Sequence, residues 1–168
     1  PPPPAGPDTT SHDFIWEIDT LGDGNSSVLY DVAIINDTTI WAVGEIYLKD
    51  PTGQVDPTAY NLARWNGSVW SLSRVPMKDF GSPTFGYYPI RAILAFSLSD
   101  IWVADAGGLA HFDGGTWGRW TVLFNDLNDP TFGATNKMWG PTSDDLYIVG
   151  NRGSITHFNR TTWRRIES

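Results

Sequence analysis

The sequence predicts an all-β chain of tandem four-stranded antiparallel units. Three observations predict it: composition, an internal repeat, and the lack of any useful segment with helical 3.6-residue periodicity. Of 168 residues, 9 are Trp, 6 Tyr and 8 Phe, so 14% are aromatic; 17 are Gly and 12 Pro, while 18% are charged. Aromatic side chains suit pleated surfaces, and Gly and Pro suit the turns between short strands. The chain has no cysteine, which excludes disulfides and cysteine-based zinc or redox sites. Its formal net charge of −8 repels phosphate backbones and anionic lipid, which argues against nucleic acid and membrane partners. No stretch approaches the ~18 apolar residues of a membrane-spanning helix.

The elements follow in order. Residues 1–12, opening on PPPPAGPDTT, read as a Pro-rich linker or tail. Residues 13–20, with Phe14-Ile15-Trp16-Glu17-Ile18, have the pattern of an isolated outer strand. Three copies of one unit come next, over 28–76, 90–122 and 135–168. Each copy divides into strands A (near 29–35, 90–96 and 135–140), B (39–45, 100–105 and 145–150), C (60–65, 108–112 and 153–158) and D (69–75, 116–122 and 162–167). The A runs are nearly continuous in apolar residues, as expected of strands buried on both faces, although Gly140 and Pro141 break the third. The B runs Thr39–Gly44, Asp100–Asp105 and Asp145–Gly150 are equivalent. The C–D units are Arg64-Trp65-Asn66-Gly67-Ser68-Val69-Trp70, His111-Phe112-Asp113-Gly114-Gly115-Thr116-Trp117 and His157-Phe158-Asn159-Arg160-Thr161-Thr162-Trp163: strand, tight turn, strand. Their final Trp recurs at intervals of 47 and 46 residues. Trp16, Trp41, Trp65, Trp70, Trp102, Trp117 and Trp163 all fall on repeat positions, where packing between sheets explains them. Trp120 and Trp139 are left over.

A four-stranded unit of about 45 residues in tandem is the signature of a β-propeller blade. The copies resemble bacterial propeller repeats that read Asp-aliphatic-aromatic-aliphatic-Val-Gly, then Gly-x-aliphatic-x-His-aromatic-Asp/Asn-Gly-x-x-Trp. Asp145–Gly150 and Gly153–Trp163 fit except at Arg160, where the pattern has Gly; Asp100–Trp117 fits with Asp105 in place of Gly. The resemblance implies a fold and no particular chemistry. It also suits a secreted or cell-surface bacterial origin. The Asp113–Trp117 turn is one residue short of a sialidase-type Asp box, and the Kelch and WD40 patterns fail.

Propellers close with typically four to eight blades, and this chain has three. The expectation is therefore head-to-tail self-association into a ring, a homodimer of six blades being favoured over a homotrimer of nine. The N-terminal strand would supply a Velcro-type closure, competing with the strand around Trp163. A chain cut, by evolution or by engineering, from a longer propeller fits the same pattern.

Candidate sites lie where loops meet the axis. Tyr30, Arg91 and Asn136 share one register at the start of strand A, so a channel-lining polar ring is expected of them. Pro83-Thr84-Phe85-Gly86 recurs as Pro130-Thr131-Phe132-Gly133. Phe85 and Phe132, with Tyr87 and Tyr88, form an expected aromatic rim or a plug between blades. A B–C insertion over Glu45–Tyr60 marks blade 1; it reads as an extended hairpin or a functional loop. His111 and His157 are repeat-equivalent, which predicts one structural role used twice. No catalytic residues, metal site or cofactor are indicated, and the expectation is a non-enzymatic scaffold or binding module. The alternative is part of a secreted glycan-binding or glycan-cleaving propeller, with a glycan or peptide as ligand.

Overall fold

The computed structural model describes residues 15–23, 26–78, 83–122 and 134–166. The first sheet holds β1 (Val28–Asn36), β2 (Thr39–Ile46), β3 (Tyr60–Trp65) and β4 (Trp70–Ser73). After a small ribbon of β5 (Met77–Lys78) and β6 (Phe85–Gly86), the second holds β7 (Ala92–Ser97), β8 (Asp100–Ala104), β9 (Gly108–Phe112) and β10 (Trp117–Val122). The third holds β11 (Thr135–Thr142), β12 (Asp145–Gly150), β13 (Ile155–Phe158) and β14 (Trp163–Ile166). Each sheet is an antiparallel meander in strand order A-B-C-D, so the three sheets are the three expected blades. The A strands β1, β7 and β11 lie side by side, which places the propeller axis at their edge.

The C–D turns show how short polar sequences set the register. Asn66 Oδ1 accepts the Ser68 and Val69 N–H groups, Asp113 Oδ1 those of Gly115 and Thr116, and Asn159 Oδ1 that of Thr162. The next residue is left-handed each time: Gly67 at φ 95°, Gly114 at φ 95° and Arg160 at φ 75°. Glycine adopts this conformation freely; Arg160 does so at a cost.

Packing follows the pleat. In blade 1, Trp41, Val43 and Leu62 face Ile93, Ile101, Val103 and Ala110 of blade 2 in one buried cluster. Trp102, Ala104 and Leu109, on the other face of blade 2, pack on Met138, Leu146, Ile148 and Phe158 of blade 3. Phe158 and Trp163 stack at 4.6 Å, and Trp102 meets Trp163 edge-on at 6.3 Å. The repeated tryptophans at 41, 102 and 163 are thus packing residues between blades, as their spacing predicts.

Three features depart from the expectations. Strand β1 is largely exposed rather than buried on both faces, with Ile34 at 70% and Val32 at 52%, because no sheet covers its outer side. Strand β11 runs through Gly140 and Pro141 instead of breaking, since a register shift between Trp139 and Thr142 takes them out of the ladder. Residues 15–20 join no sheet. The segment instead runs beside blade 1, where Trp70 Nε1 donates to Asp19 Oδ2 at 2.9 Å and Leu21 packs on Ala42, Ile46 and Ala63. Residues 1–14, including the expected linker, lie outside the described residues.

Candidate functional site

The axial end of the A strands gathers the charged side chains of the chain's inner edge. Tyr30 and Asn136 each sit in a register shift of their ladder, between Leu29 and Asp31 and between Thr135 and Lys137. Such a bulge re-aims a side chain away from the sheet face. Arg91 immediately precedes β7, held by its N–H to Ala104 O at 2.8 Å. The structure brings two of the three expected ring residues together: the Arg91 guanidinium lies 5.3 Å from the centre of the Tyr30 ring, within cation–π range. Asn136 turns instead to Asn151, donating through Nδ2 to Oδ1 at 2.8 Å.

The stronger axial contact belongs to the next position along, 31 and 137. The Asp31 side chain is only 8% exposed, yet it is charged. One oxygen accepts the Ile93 N–H of β7 at 3.0 Å and the other pairs with Lys137 of β11. A buried carboxylate needs such partners, and here they tie all three blades together at the axis. The sequence signal was present: an aspartate inside the apolar run Val28–Ile35.

On the rim, Phe85 ends the β5–β6 ribbon and is 46% exposed, so it does not plug the space between blades. Tyr87 and Tyr88 are 50% and 44% exposed. Phe132 lies outside the described residues. A hydrogen bond to Glu45, at 2.6 Å, holds the Tyr47 phenol above its usual range.

The blade 1 insertion is a hairpin with a shallow groove lined by Leu48, Lys49, Asp50, Val55, Asp56 and Tyr60. Its carboxylates are engaged by the loop itself. The Thr52 hydroxyl, then the Gln54 N–H, hold Asp50 below the ordinary carboxylate range; the Thr58 N–H and Arg74 do the same for Asp56. Arg74 also lies 4.1 Å from the Tyr60 ring centre. That is the chemistry of a self-supported turn.

The two repeat histidines carry the same bond. His111 Nε2 is 2.7 Å from Asp100 Oδ1, and His157 Nε2 is 2.6 Å from Asp145 Oδ1. The first pair continues across the blade junction: Ser143 Oγ donates to Asp100 Oδ1 at 2.7 Å and accepts the Trp102 indole N–H at 2.7 Å. This network ties the rim of blade 2 to blade 3. In blade 1 the matching positions are Thr39, Trp41 and Arg64. The residue matching Ser143 is Leu98, so the buried Trp41 Nε1 has no hydrogen-bond partner, and the Arg64 guanidinium lies 5.1 Å from its ring. Among the described residues, no group of three or more His, Asp or Glu is arranged to hold a metal.

No family model matches this chain, and no curated protein matches it. Among solved structures it is similar to a β-propeller, YCF48 bound to D1 peptide, with a TM-score of 0.54 and 16% identity over 83% of this chain. The match covers 39% of that chain, so this sequence spans about two-fifths of the propeller it resembles. The similarity shows the fold: these sheets are propeller blades.

Proposed function

We propose that the chain is a non-enzymatic propeller segment that completes a ring head-to-tail with a second copy, leaving the axial end and the loop rim for binding. One observation carries this reading: neither end face meets another blade, and each repeats an internal face position by position. The outer face of blade 1 carries Val32, Ile34, Ile40, Ala42, Ala63 and Trp65, of which Val32 and Ile34 are exposed, while Ala42 and Ala63 are buried in a cluster that includes Leu21. These match in register Ile93, Ala95, Ile101, Val103, Ala110 and Phe112, which blade 2 turns to blade 1. The outer face of blade 3 presents Trp139, Tyr147, Val149, Ile155 and His157, matching Leu94, Trp102, Ala104, Leu109 and His111. Trp139 is 63% exposed and Val149 42%. Apolar faces of this breadth mark interaction surfaces in soluble proteins. A heterologous contact between unlike faces closes into a ring when the rotation allows, and two copies give six blades.

Placing a charge in the open face tests this. Val149→Glu is expected to give a folded monomer by sedimentation velocity where the unaltered chain gives a larger species; equal sedimentation of the two would refute the reading. A second reading, glycan recognition, draws on the exposed Trp139 and on Tyr87 and Tyr88, since sugar rings stack on such side chains. A glycan array and a fluorogenic glycoside panel separate the readings. Ring completion predicts silence in both, and binding that Trp139→Ala abolishes without changing sedimentation would support the glycan site.

A further inference from the structure

If two copies close a ring, the closing junction repeats the contact of blades 2 and 3 with a hydroxyl exchanged for a carboxylate, and the proton linkage proposed for it rests on that ring reading. The A–B turns Asp37-Thr38, Leu98-Ser99 and Ser143-Asp144 share one register, closed by the pairs Asn36 with Thr39, Ser97 with Asp100 and Thr142 with Asp145. At the junction of blades 2 and 3 this turn reaches back to the preceding blade. Ser143 Oγ donates to Asp100 Oδ1 at 2.7 Å and accepts the Trp102 indole N–H at 2.7 Å. His111 Nε2 lies 2.7 Å from the same carboxylate oxygen. A hydroxyl both donates and accepts, so it serves the aspartate and the tryptophan together.

The outer face of blade 3 offers the same set of groups. Asp145 Oδ1 lies 2.6 Å from His157 Nε2, and Tyr147 packs on His157 at 4.3 Å as Trp102 packs on His111 at 4.5 Å. The residue that blade 1 of a second copy would bring to Asp145 is Asp37, which is exposed. The carboxylate of Asp37 has no proton to donate, so two carboxylates and one imidazole meet where the internal junction has one carboxylate, one imidazole and a hydroxyl. The Tyr147 phenol, in the place of the Trp102 indole, gives Asp37 one O–H donor. The other charges near this contact are already placed. Asp144 lies 3.3 Å from Arg160 on its own blade. Arg164 pairs with His157 in the ladder and holds the position of Gly118, where an added Cβ would meet nothing within 4 Å, so the internal packing does not carry Arg164 to the incoming turn. Asn36 and Thr38, which flank Asp37, are uncharged and bond to each other.

We propose that ring closure takes up a proton at each contact of Asp37 with Asp145 and His157, so that self-association strengthens as the pH falls. A second carboxylate favours the protonated form of His157 and of either aspartate. The closed ring therefore holds more protons than two separate chains, and the linkage tightens closure at lower pH. Histidine changes charge between about pH 5 and 8, which sets the window.

Sedimentation velocity at fixed ionic strength tests this. Between about pH 8 and about pH 5.5 the dissociation constant of the unaltered chain is expected to fall about tenfold or more. Asp37→Ser gives the closing junction the hydroxyl of the internal one. This variant is expected to associate more tightly than the unaltered chain at about pH 8 and to lose most of the pH dependence. Falling pH also reduces the net charge of −8, but that effect acts on both chains alike. Asp37 is exposed, so unchanged circular dichroism verifies folding of the variant. If both chains associate with the same pH slope, or Asp37→Ser associates no more tightly at the alkaline end, the proton linkage is refuted while the ring stands. If the unaltered chain is monomeric at every pH, the ring fails and the linkage fails with it.

Discussion

Two residues expose how much of the fold rests on single side chains. Arg160 occupies a left-handed position, φ 75°, that glycine fills in the other two blades. Its ion pair with Asp144 joins side chains 76% and 52% exposed, and such pairs contribute little. Arg160→Gly should therefore stabilise the chain by about 1 kcal/mol, seen as a rise of about 2–4 °C in melting temperature; a lower melting temperature would contradict this. Asp31 works the other way. Asp31→Ala leaves the Ile93 N–H without its partner and frees Lys137, so it should destabilise by about 1–3 kcal/mol in denaturant titration. Arg160 was legible in the sequence as the one break in a repeated turn. Asp31 was visible as a charge inside an apolar run, but its pairing with Lys137 was not: nothing in one sequence says which of two adjacent positions, 30 or 31, reaches across the axis, because a bulge in the ladder decides it.

At the scale of elements, the strands were legible because period and turn chemistry agree. Asn66, Asp113 and Asn159 start the same turn, and B strands follow A strands after two-residue connections at Asp37-Thr38, Leu98-Ser99 and Ser143-Asp144. The isolated N-terminal strand has strand composition, but pairing is a property of two partners and the described single chain lacks the second. The turns also carry a pH dependence. The Thr116 N–H, then that of Gly115, hold the Asp113 carboxylate below its usual value of 3.8. A folded-state value below the unfolded one means that the charged form stabilises the fold. That contribution is present above about pH 4 and is lost as pH falls through the folded value. Asp113→Asn, which imitates the other two turns, should retain the turn and remove this part of the acid sensitivity. The check is melting temperature against pH between about 2 and 6; an unchanged acid slope would contradict it.

For the whole molecule, the three stacked blades follow from the repeat, while the axial contacts and the two unlike open faces emerge only from the assembled sheets. The open face of blade 1 has a neighbour of its own chain: residues 15–23 run beside it, and Ile15, Trp16 and Ile18 are 94%, 83% and 89% exposed. These side chains extend the apolar surface available to a second copy. Deleting residues 1–20 should therefore weaken association and lower the melting temperature of the assembled form; unchanged mass and melting would show that the segment takes no part in closure.

The most direct measurement is the mass of the unaltered chain in native buffer at micromolar concentration, by light scattering or native mass spectrometry. Ring completion predicts a discrete species at twice the 18.6 kDa of one chain, falling towards one chain in Val149→Glu. A single, sharp 18.6 kDa species that does not change with concentration would contradict it.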